Sequence, residues 1–445
     1  MQVQVVTWAS HAAELGSIRR HVFIDEQNVP EALEWDGLDH RAFHFLVYAG
    51  TLPVGCARLL ADGHIGRMAV LQDFRGQGVG RALLAAVLQT ARQQTLSWLY
   101  LNAQTHAAGF YARSGFEPVG AEFPDAGIPH LRMELVMENH SSALNTRFGL
   151  AGKLHFVDAA AGVPVVEITT AHASARIAVQ GAQVLEWQPT GQQPVLWVSR
   201  AAVYQTGKGV RGGVPVCWPW FGAGAEGKPA HGFVRTRLWE VRETGQGVAD
   251  SVFIRFGMKD DESTRALWDH AFDVELIVTV GAALKMELVT RNTGAAPFEI
   301  TQGLHTYFRV GAIASTQVTG LEDTVYLDKV LGFARATQHG AVTFDGETDR
   351  VYVNTTSDCV IDDAGFQRKI RVAKSGSTST VVWNPWIEKE KGFADMAQGE
   401  YQEMLCVETV NAGEDRVTVA PGGEHRLVAF IALDAAVYSQ PCKPC

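Results

Sequence analysis

The chain has 445 residues, with 38 Lys and Arg against 48 Asp and Glu, for a formal net charge of −10. At about 150 residues per domain this is too long for one small module. Its 47% hydrophobic and 19% charged residues sit near the soluble globular average and exclude a disordered or coiled-coil chain. The acidic balance argues against gripping nucleic-acid phosphates as a main task, while leaving room for local basic sites that take small anions.

Met1-Gln-Val-Gln-Val-Val alternates polar and apolar residues as a strand does, with no basic region leading into an apolar core, so the chain is expected to stay unexported. Apolar runs such as Leu427 to Leu433 fall far short of the roughly 18 to 20 residues that cross a bilayer. The expectation is a soluble cytoplasmic protein with neither nucleic acid nor membrane as partner. Six cysteines, Cys56, Cys217, Cys359, Cys406, Cys442 and Cys445, are spread thinly, as buried small hydrophobes are in a reducing compartment. Cys442 and Cys445 form a CxxC at the very end, without a second pair or a histidine cluster to complete a zinc site, and read as a tail.

Residues 1–136 alternate strand and helix patterns. His64 to Val70 reads as a strand, Arg81 to Gln93 as a helix and Leu96 to Asn102 as a strand, so this half is α/β. Met137 to Leu150 breaks all periodicity and is expected to be a linker. Beyond it, Val163 to Thr169, Phe272 to Val280, Lys285 to Thr290 and Arg416 to Val419 are short runs rich in β-branched residues, punctuated by Gly, Pro, Asn and Asp. The second half, 151–437, is therefore all-β. Its size leaves one large two-sheet domain or two β domains open.

In the first half, the strand ending at Val70 leads through Arg75-Gly-Gln-Gly-Val-Gly80 straight into the helix. Glycines let successive backbone N–H groups turn toward one anion, and the positive end of the helix dipole adds to the attraction. The loop has neither the GxGxxG spacing of dinucleotide folds nor the Gly-Lys-Ser/Thr of a P-loop. Arg75-x-x-Gly78-x-Gly80 resembles the signature of the GNAT N-acetyltransferases, and Phe110-Tyr-Ala-Arg-Ser-Gly-Phe116 resembles that family's late segment. The resemblance covers residues 1–136; Phe23 to Pro30 and Trp35-Asp-Gly-Leu-Asp39 look like a bacterial subgroup of unassigned substrate.

This resemblance implies acetyl-CoA as cofactor and an amine as acceptor of unknown identity. Met68 and Val70 would pair with the pantetheine arm, while Arg75, Gly76, Gln77, Gly78 and Gly80 would line the pyrophosphate. Tyr111 would be the general acid for the departing thiolate. Gln104 would join the cofactor site where many members carry Asn. Glu26 is the candidate base, acting through water, with an exposed turn carboxylate as the plainer alternative; no spacing singles out His106 or His130.

In the second half, Val210 to Gly222 is dense in glycine, proline and aromatics, a composition suited to a rigid wall for a sugar ring. On an extended segment His231, Phe233, Arg235 and Arg237 would share a face, making a cationic pocket with Arg211. His305 lies in an aromatic stretch and Glu408 in an apolar strand. A buried carboxylate and an imidazole can act as an acid/base pair, or be hydrogen-bonded core groups. Arg211-Gly-Gly-Val-Pro, Trp218-Pro-Trp-Phe-Gly, His231-Gly-Phe-Val-Arg235, Leu304-His-Thr-Tyr-Phe308, Tyr326-Leu-Asp-Lys329, Trp383-Asn-Pro385 and Cys406-Val-Glu408 resemble, in order, the hexose-6-phosphate branch of the aldose 1-epimerase (mutarotase) superfamily.

That resemblance implies one all-β galactose-mutarotase-like supersandwich behind the α/β GNAT fold, and an isomerase that interconverts the anomers of a sugar phosphate without a cofactor. Glu408 and His305 would be the acid/base pair, and His231 would hold the sugar or polarise the ring oxygen. Arg211 and Arg235 would anchor the 6-phosphate with help from Lys208. Asp328 would bind a hydroxyl or position a basic neighbour. A β-sandwich that only senses sugar phosphate beside an active acetyltransferase is the alternative.

Overall fold

The computed structural model describes residues 3–94, 96, 98–136, 140–159, 163–205 and 207–434. The chain divides into two compact units, Met1–Asn139 and His140–Cys445.

The first unit runs β1 (Val3–Val6), α1 (Trp8–Arg19), α2 (Glu31–Glu34), β2 (Phe43–Ala49), β3 (Leu52–Leu59), β4 (Ile65–Val70), α3 (Val79–Gln93), β5 (Trp98–Gln104), α4 (Ala108–Ala112), β6 (Glu117–Pro118), β7 (Phe123–Asp125) and β8 (Ile128–Val136). β1-β2-β3-β4 form one antiparallel sheet, and β5-β8-β6, with β7 also on β8, form a second. α3 buries Val79, Leu83, Leu84, Val87 and Ala91, the one-sided pattern of a helix laid on a sheet. These residues share a core with Phe45, Val47, Leu59, Leu99 and Leu101 of the strands. β4 and β5 meet through the single parallel bridge His64↔Tyr100. Beyond it β4 has ladder partners on the β3 side alone among the described residues, so its other edge of N–H and C=O groups faces open space.

The second unit opens with α5 (His140–Phe148), followed by β9 (Leu154–Asp158), β10 (Pro164–Thr169), β11 (Ala173–Ala178), β12 (Gln183–Pro189), β13 (Val216–Cys217), β14 (Glu240–Gln246) and β15 (Val252–Lys259). It continues with α6 (Glu262–Arg265), β16 (Phe272–Val280), β17 (Ala283–Asn292), β18 (Phe298–Ile300), β19 (Gln302–Leu304), β20 (Tyr307–Arg309), β21 (Thr316–Thr319), β22 (Val325–Asp328) and β23 (Ala334–Thr337). It ends with β24 (Thr348–Tyr352), β25 (Cys359–Asp363), β26 (Arg368–Ser375), β27 (Ser379–Asn384), α7 (Trp386–Glu390), β28 (Met404–Asn411), β29 (Val417–Val419) and β30 (Glu424–Leu433).

Two eight-stranded sheets dominate: β13-β19-β28-β27-β24-β22-β23, with β20 on β28, and β14-β15-β16-β17-β30-β26-β25-β21. Leu405, Val407 and Val382 from the first share a core with Leu276, Val278, Met286 and Ile431 from the second, as in a sandwich. β28 is buried along its whole length. Its odd residues Leu405 and Val407 join that shared core, whereas Met404, Cys406 and Val410 pack with Trp197, Tyr307 and Trp383 on the opposite face of the sheet. With a side-chain period of two, Glu408 belongs to that opposite face.

The region expected to be a linker is ordered over much of its length. α5 belongs to the second unit, because Asn145 gives its amide to the Phe156 carbonyl (2.8 Å) and accepts the Phe156 N–H (2.7 Å), completing the edge of β9. Thr244 closes the helix end by donating to the Phe148 carbonyl at 2.7 Å. Cys56, Cys217, Cys359 and Cys406 are buried free thiols; the CxxC tail at Cys442 and Cys445 lies outside the described residues.

Candidate active sites

In the first unit, Met68, Ala69 and Val70 on β4 face Leu101, Asn102 and Gln104 on β5 across a cavity of about 530 Å³, with Tyr111 and His130 also lining it. Gly76 (φ +75°) and Gly78 (φ +86°) hold left-handed backbone, and a Cβ on Gly76 would meet nothing within 4 Å. The conformation, more than crowding, is what requires glycine at position 76. Gly78 caps α3, a 15-residue helix whose first N–H groups have no intrahelical acceptor. This glycine cradle, a helix N-terminus and the open edge of β4 fit a pyrophosphate joined to an extended amide arm. Met68, Val70, Gly76, Gln77, Gly78 and Gly80 would hold it.

The side chains singled out in this domain settle as follows. Gln77 donates its side-chain amide to the Asp73 carbonyl (2.8 Å) and Gln104 donates to Gln27 (2.8 Å). Tyr111 points its hydroxyl at the Met68 sulfur (3.6 Å), and burial pushes its pKa up to about 12. Arg75 forks onto Glu26 with two contacts of 2.7 Å and donates Nε to the Val70 carbonyl at 2.9 Å. Glu26 is thereby corrected as a base: the Arg75 hydrogen bonds hold its carboxyl below the usual range, the wrong direction for a proton acceptor near neutral pH. His106 and His130 both line the cavity, with His130 Nδ1 2.8 Å from the Ile128 carbonyl.

Behind this cavity lies a group of charges that sequence reasoning missed. Arg19 donates to Glu34 (2.5 Å) and Asp39 (2.8 Å), Arg58 to Asp36 (2.5 and 2.8 Å) and Asp39 (2.9 Å), and Arg67 to the carbonyls of Leu33 and Glu34. Arg19 and Arg58 are each 1% exposed. The Trp35-Asp-Gly-Leu-Asp39 motif thus supplies two carboxylates to a buried ionic cage. Burial pushes the Asp39 carboxyl up, but its bonds to Arg19 and Arg58 outweigh that and leave it below the usual range.

In the second unit, β19 and β20 both pair with β28, and His305 sits between them, its N–H donating to the Pro215 carbonyl at 3.0 Å. Its ring stacks on Tyr307, with centroids 4.8 Å apart and planes at 12°. His305 Nε2 lies 3.5 Å from Glu408 Oε1, with Glu408 1% exposed. Burial pushes the Glu408 carboxyl well above the ordinary range against the pull of Lys329, and burial, then His231 and Arg211, push the His305 imidazole well below.

A cavity of about 60 Å³ is lined by Arg211, Arg235, His231, His305, Tyr307 and Asp395, among others. Arg211 reaches Asp395 through Nε and Nη2, both at 3.1 Å, and lies 4.4 Å over the Phe393 ring. Arg235 donates Nη2 to the Ala230 carbonyl (3.2 Å), and its buried Nε has no hydrogen-bond partner among the described residues. Two guanidiniums, one neutralised and one not, make this a candidate anion site. His231 accepts the Gly222 N–H on Nδ1 at 3.3 Å, so the neutral ring carries its hydrogen on Nε2. Burial, reinforced by Arg235, Lys329 and Arg211, pushes its pKa down to about 4.

The expected extended face at His231 is corrected. His231 takes φ +61° and Val234 to Thr236 form a 3₁₀ turn, because Gly232 crosses against Trp218: a Cβ there would lie 1.8 Å from the Trp218 carbonyl oxygen. Phe233 is buried in the core, Arg235 reaches the cavity, and Arg237 turns away to Ser263 (2.7 Å). Asp328 is spent on its own turn, accepting the N–H groups of Val330 (3.0 Å) and Leu331 (3.2 Å), and among the described residues its basic contact is Arg350 at 3.7 Å. Its neighbour Lys329, anchored 3.0 Å from Asp349, is a cation whose charge favours the ionised Glu408 carboxyl. Lys208 is exposed, next to the cavity residues Gly209 and Val210. Tyr307, Asp395, Lys329 and Asp349 were not assigned from sequence, although Tyr307 and Lys329 lie inside the quoted motifs.

The family model for aldose 1-epimerase matches residues 164–429. The chain belongs to the aldose 1-epimerase family. Ahead of that domain, a model for an acetyltransferase (GNAT) domain matches residues 9–137, so the chain is a fusion of two enzyme domains. The epimerase domain is similar to a “Putative glucose-6-phosphate 1-epimerase” of Escherichia coli K12, 39% identical over 54% of this chain and 80% of that protein. It is also similar to the crystal structure of a “putative mutarotase (YeaD)” from Salmonella typhimurium, 33% identical with a TM-score of 0.59, covering 64% of this chain and 95% of that one. The acetyltransferase domain is similar to the “Uncharacterized N-acetyltransferase YjcF” of Bacillus subtilis 168, 42% identical over 26% of this chain and 86% of that protein. Among the described residues, no helix is long and apolar enough to cross a membrane.

Proposed function

We propose that the epimerase domain interconverts the α and β anomers of a hexose 6-phosphate, glucose 6-phosphate first among them, and that the N-terminal domain transfers an acetyl group from acetyl-CoA to an amine. The observation that carries the first reading is the contact of His305 with Glu408 beside a cavity holding Arg211 and Arg235. The names of the relatives support the choice of sugar.

Ring opening needs a base at the anomeric hydroxyl and an acid at the ring oxygen. Glu408 takes the first proton while His305 delivers another to the ring oxygen, and the C1–O5 bond opens. Rotation about C1–C2 and the reverse transfers close the other anomer. Before substrate arrives, burial favours the uncharged arrangement, with the shared proton on Glu408 and a neutral His305. Moving that proton across the 3.5 Å contact gives the carboxylate and imidazolium that opening uses. The Nε2–H of His231 faces the sugar as a donor, and the phosphate is taken by Arg235, with Arg211, whose Nε and Nη2 stay on Asp395, beside it.

When bound, acetyl-CoA supplies an acetyl thioester at the acetyltransferase cavity. The backbone of Met68 and Val70 binds the amide arm, the glycine cradle takes the phosphates, and Tyr111 holds its proton on Oη, kept there by burial.

Exchange NMR on glucose 6-phosphate tests the first half: the full chain is expected to speed anomer exchange of the phosphate ester far more than that of glucose, and exchange no faster than buffer would overturn it. Acetyl-CoA is expected to raise the thermal stability of the chain, and no shift at saturating ligand would overturn the second half. Glucosamine 6-phosphate, offered to both domains, tests whether one ligand class serves both.

A further inference from the structure

His305, Cys406 and Glu408 bring one imidazole nitrogen, one sulfur and one carboxylate oxygen within 4.8 Å of one another. We propose that these three side chains form a binding site for a soft divalent cation, Zn²⁺ or Cd²⁺, and that its occupancy disables the proton-transfer pair. The inhibition rests on the epimerase reading above, whereas the binding does not.

Cys406 and Glu408 stand two residues apart on β28 and so share a face. His305 enters from the segment between β19 and β20, both paired to β28, so all three donors come from hydrogen-bonded neighbours in one sheet. A thiolate, an imidazole and a carboxylate form the donor set that selects zinc-like ions over magnesium or calcium, and three protein ligands leave a fourth position for water. Bonds of about 2.0 to 2.3 Å in a tetrahedron hold ligand atoms roughly 3.3 to 3.8 Å apart, a contraction that side-chain rotation supplies. Independently of this clustering, Glu408 Oε2 is buried with no hydrogen-bond partner among the described residues, an acceptor position that a cation fills.

Charge does not forbid it. Of the nearby cations, Arg211 is held by Asp395 (3.1 Å) and Lys329 by Asp349 (3.0 Å), which leaves Arg235 as the one of these three without a carboxylate partner among the described residues. On binding, the Cys406 thiol and the Glu408 carboxyl each release a proton to solvent, so two negative ligands meet the two charges of the ion.

The test is Cd²⁺ titration of the full chain carrying Cys442→Ser and Cys445→Ser, read by the ultraviolet charge-transfer band of a cadmium–thiolate bond and by anomer exchange in the same samples. One equivalent is expected to produce the band and stop exchange, and a chelator to reverse both. Adding Cys406→Ser, or Cys406→Ala should the serine variant misfold, is expected to keep exchange in metal-free buffer and to weaken both responses by at least about tenfold. Adding Cys359→Ser instead, which alters a buried thiol on β25 in the other eight-stranded sheet, is expected to leave both responses intact. No band, or an undiminished band in the Cys406 variants, overturns the site. A Cys406-dependent band in a chain without anomer exchange upholds the site and overturns the epimerase reading instead.

Discussion

Asp395 Oδ1 sits 3.1 Å from both Nε and Nη2 of Arg211, so one of the two arginines on the cavity beside His305 is already neutralised, while Arg235, among the described residues, donates to a backbone carbonyl and meets no carboxylate. An incoming phosphate therefore gains most from Arg235. Hydrogen bonds to charged groups contribute about 1.5–3 kcal/mol, so Arg235→Ala is expected to raise KM for glucose 6-phosphate about 10- to 100-fold with kcat little changed. Steady-state kinetics on glucose 6-phosphate and on glucose checks this: the unphosphorylated sugar is expected to be indifferent to the substitution.

Acid should weaken the epimerase domain through His231. His231 titrates at about 4 in the folded chain against roughly 6.5 when unfolded. Between those values the unfolded chain binds the proton and the folded chain does not, so stability falls as pH drops from about 6.5 toward 4 and then levels off. The contribution is about 3 kcal/mol, and the coupled pair adds little in this window, because the lowered His305 is offset by the raised Glu408, which keeps in the folded chain the proton that the histidine holds when unfolded. Denaturant unfolding at neutral and mildly acid pH measures it; His231→Asn, which tolerates the left-handed backbone, is expected to flatten the slope.

The acetyltransferase domain leans on its ionic cage. Removing one partner of a buried ion pair costs about 3–5 kcal/mol, so Asp39→Ala, which strips acceptors from both Arg19 and Arg58, is expected to destabilise that domain by this amount in urea unfolding. Asp73→Ala, at an exposed position, is expected to change stability by less than about 0.5 kcal/mol.

Gly78 caps α3 at φ +86°. A left-handed L-residue costs about 1–2 kcal/mol, so Gly78→Ala is expected to lower thermal stability and shrink the shift produced by acetyl-CoA. Gly80→Ala, whose methyl meets the Phe110 ring at an ordinary 3.6 Å, is expected to leave the unliganded stability unchanged.

Elements with strong local signals were legible in the sequence. Phe272 to Val280 reads as a strand and is one, and the glycine loop leads into a helix where its spacing says it should. Side-chain direction was harder to read. Along β28 every residue is buried, so its hydrophobicity does not say which face Glu408 occupies; that follows only from which core the neighbours join. Asp395 lies in a loop without periodicity, 184 residues from the arginine it holds. Arg19, Asp39 and Arg58 carry no sequence signal of their cage, because burial of ion pairs is decided by chain segments far apart in sequence. Around His231 the local pattern favoured an extended strand, and the close crossing of Gly232 over Trp218 overrode it.

Anomer exchange in the proposed reaction turns on one proton passing between Glu408 and His305. Magnetisation-transfer NMR on glucose 6-phosphate measures this with wild type, Glu408→Gln and His305→Asn at equal concentration. Loss of a general acid or base removes about 10²- to 10⁴-fold; both variants are expected to fall by that factor while still binding the sugar phosphate. Anomer exchange at the wild-type rate in either variant, with the chain folded, would contradict the account.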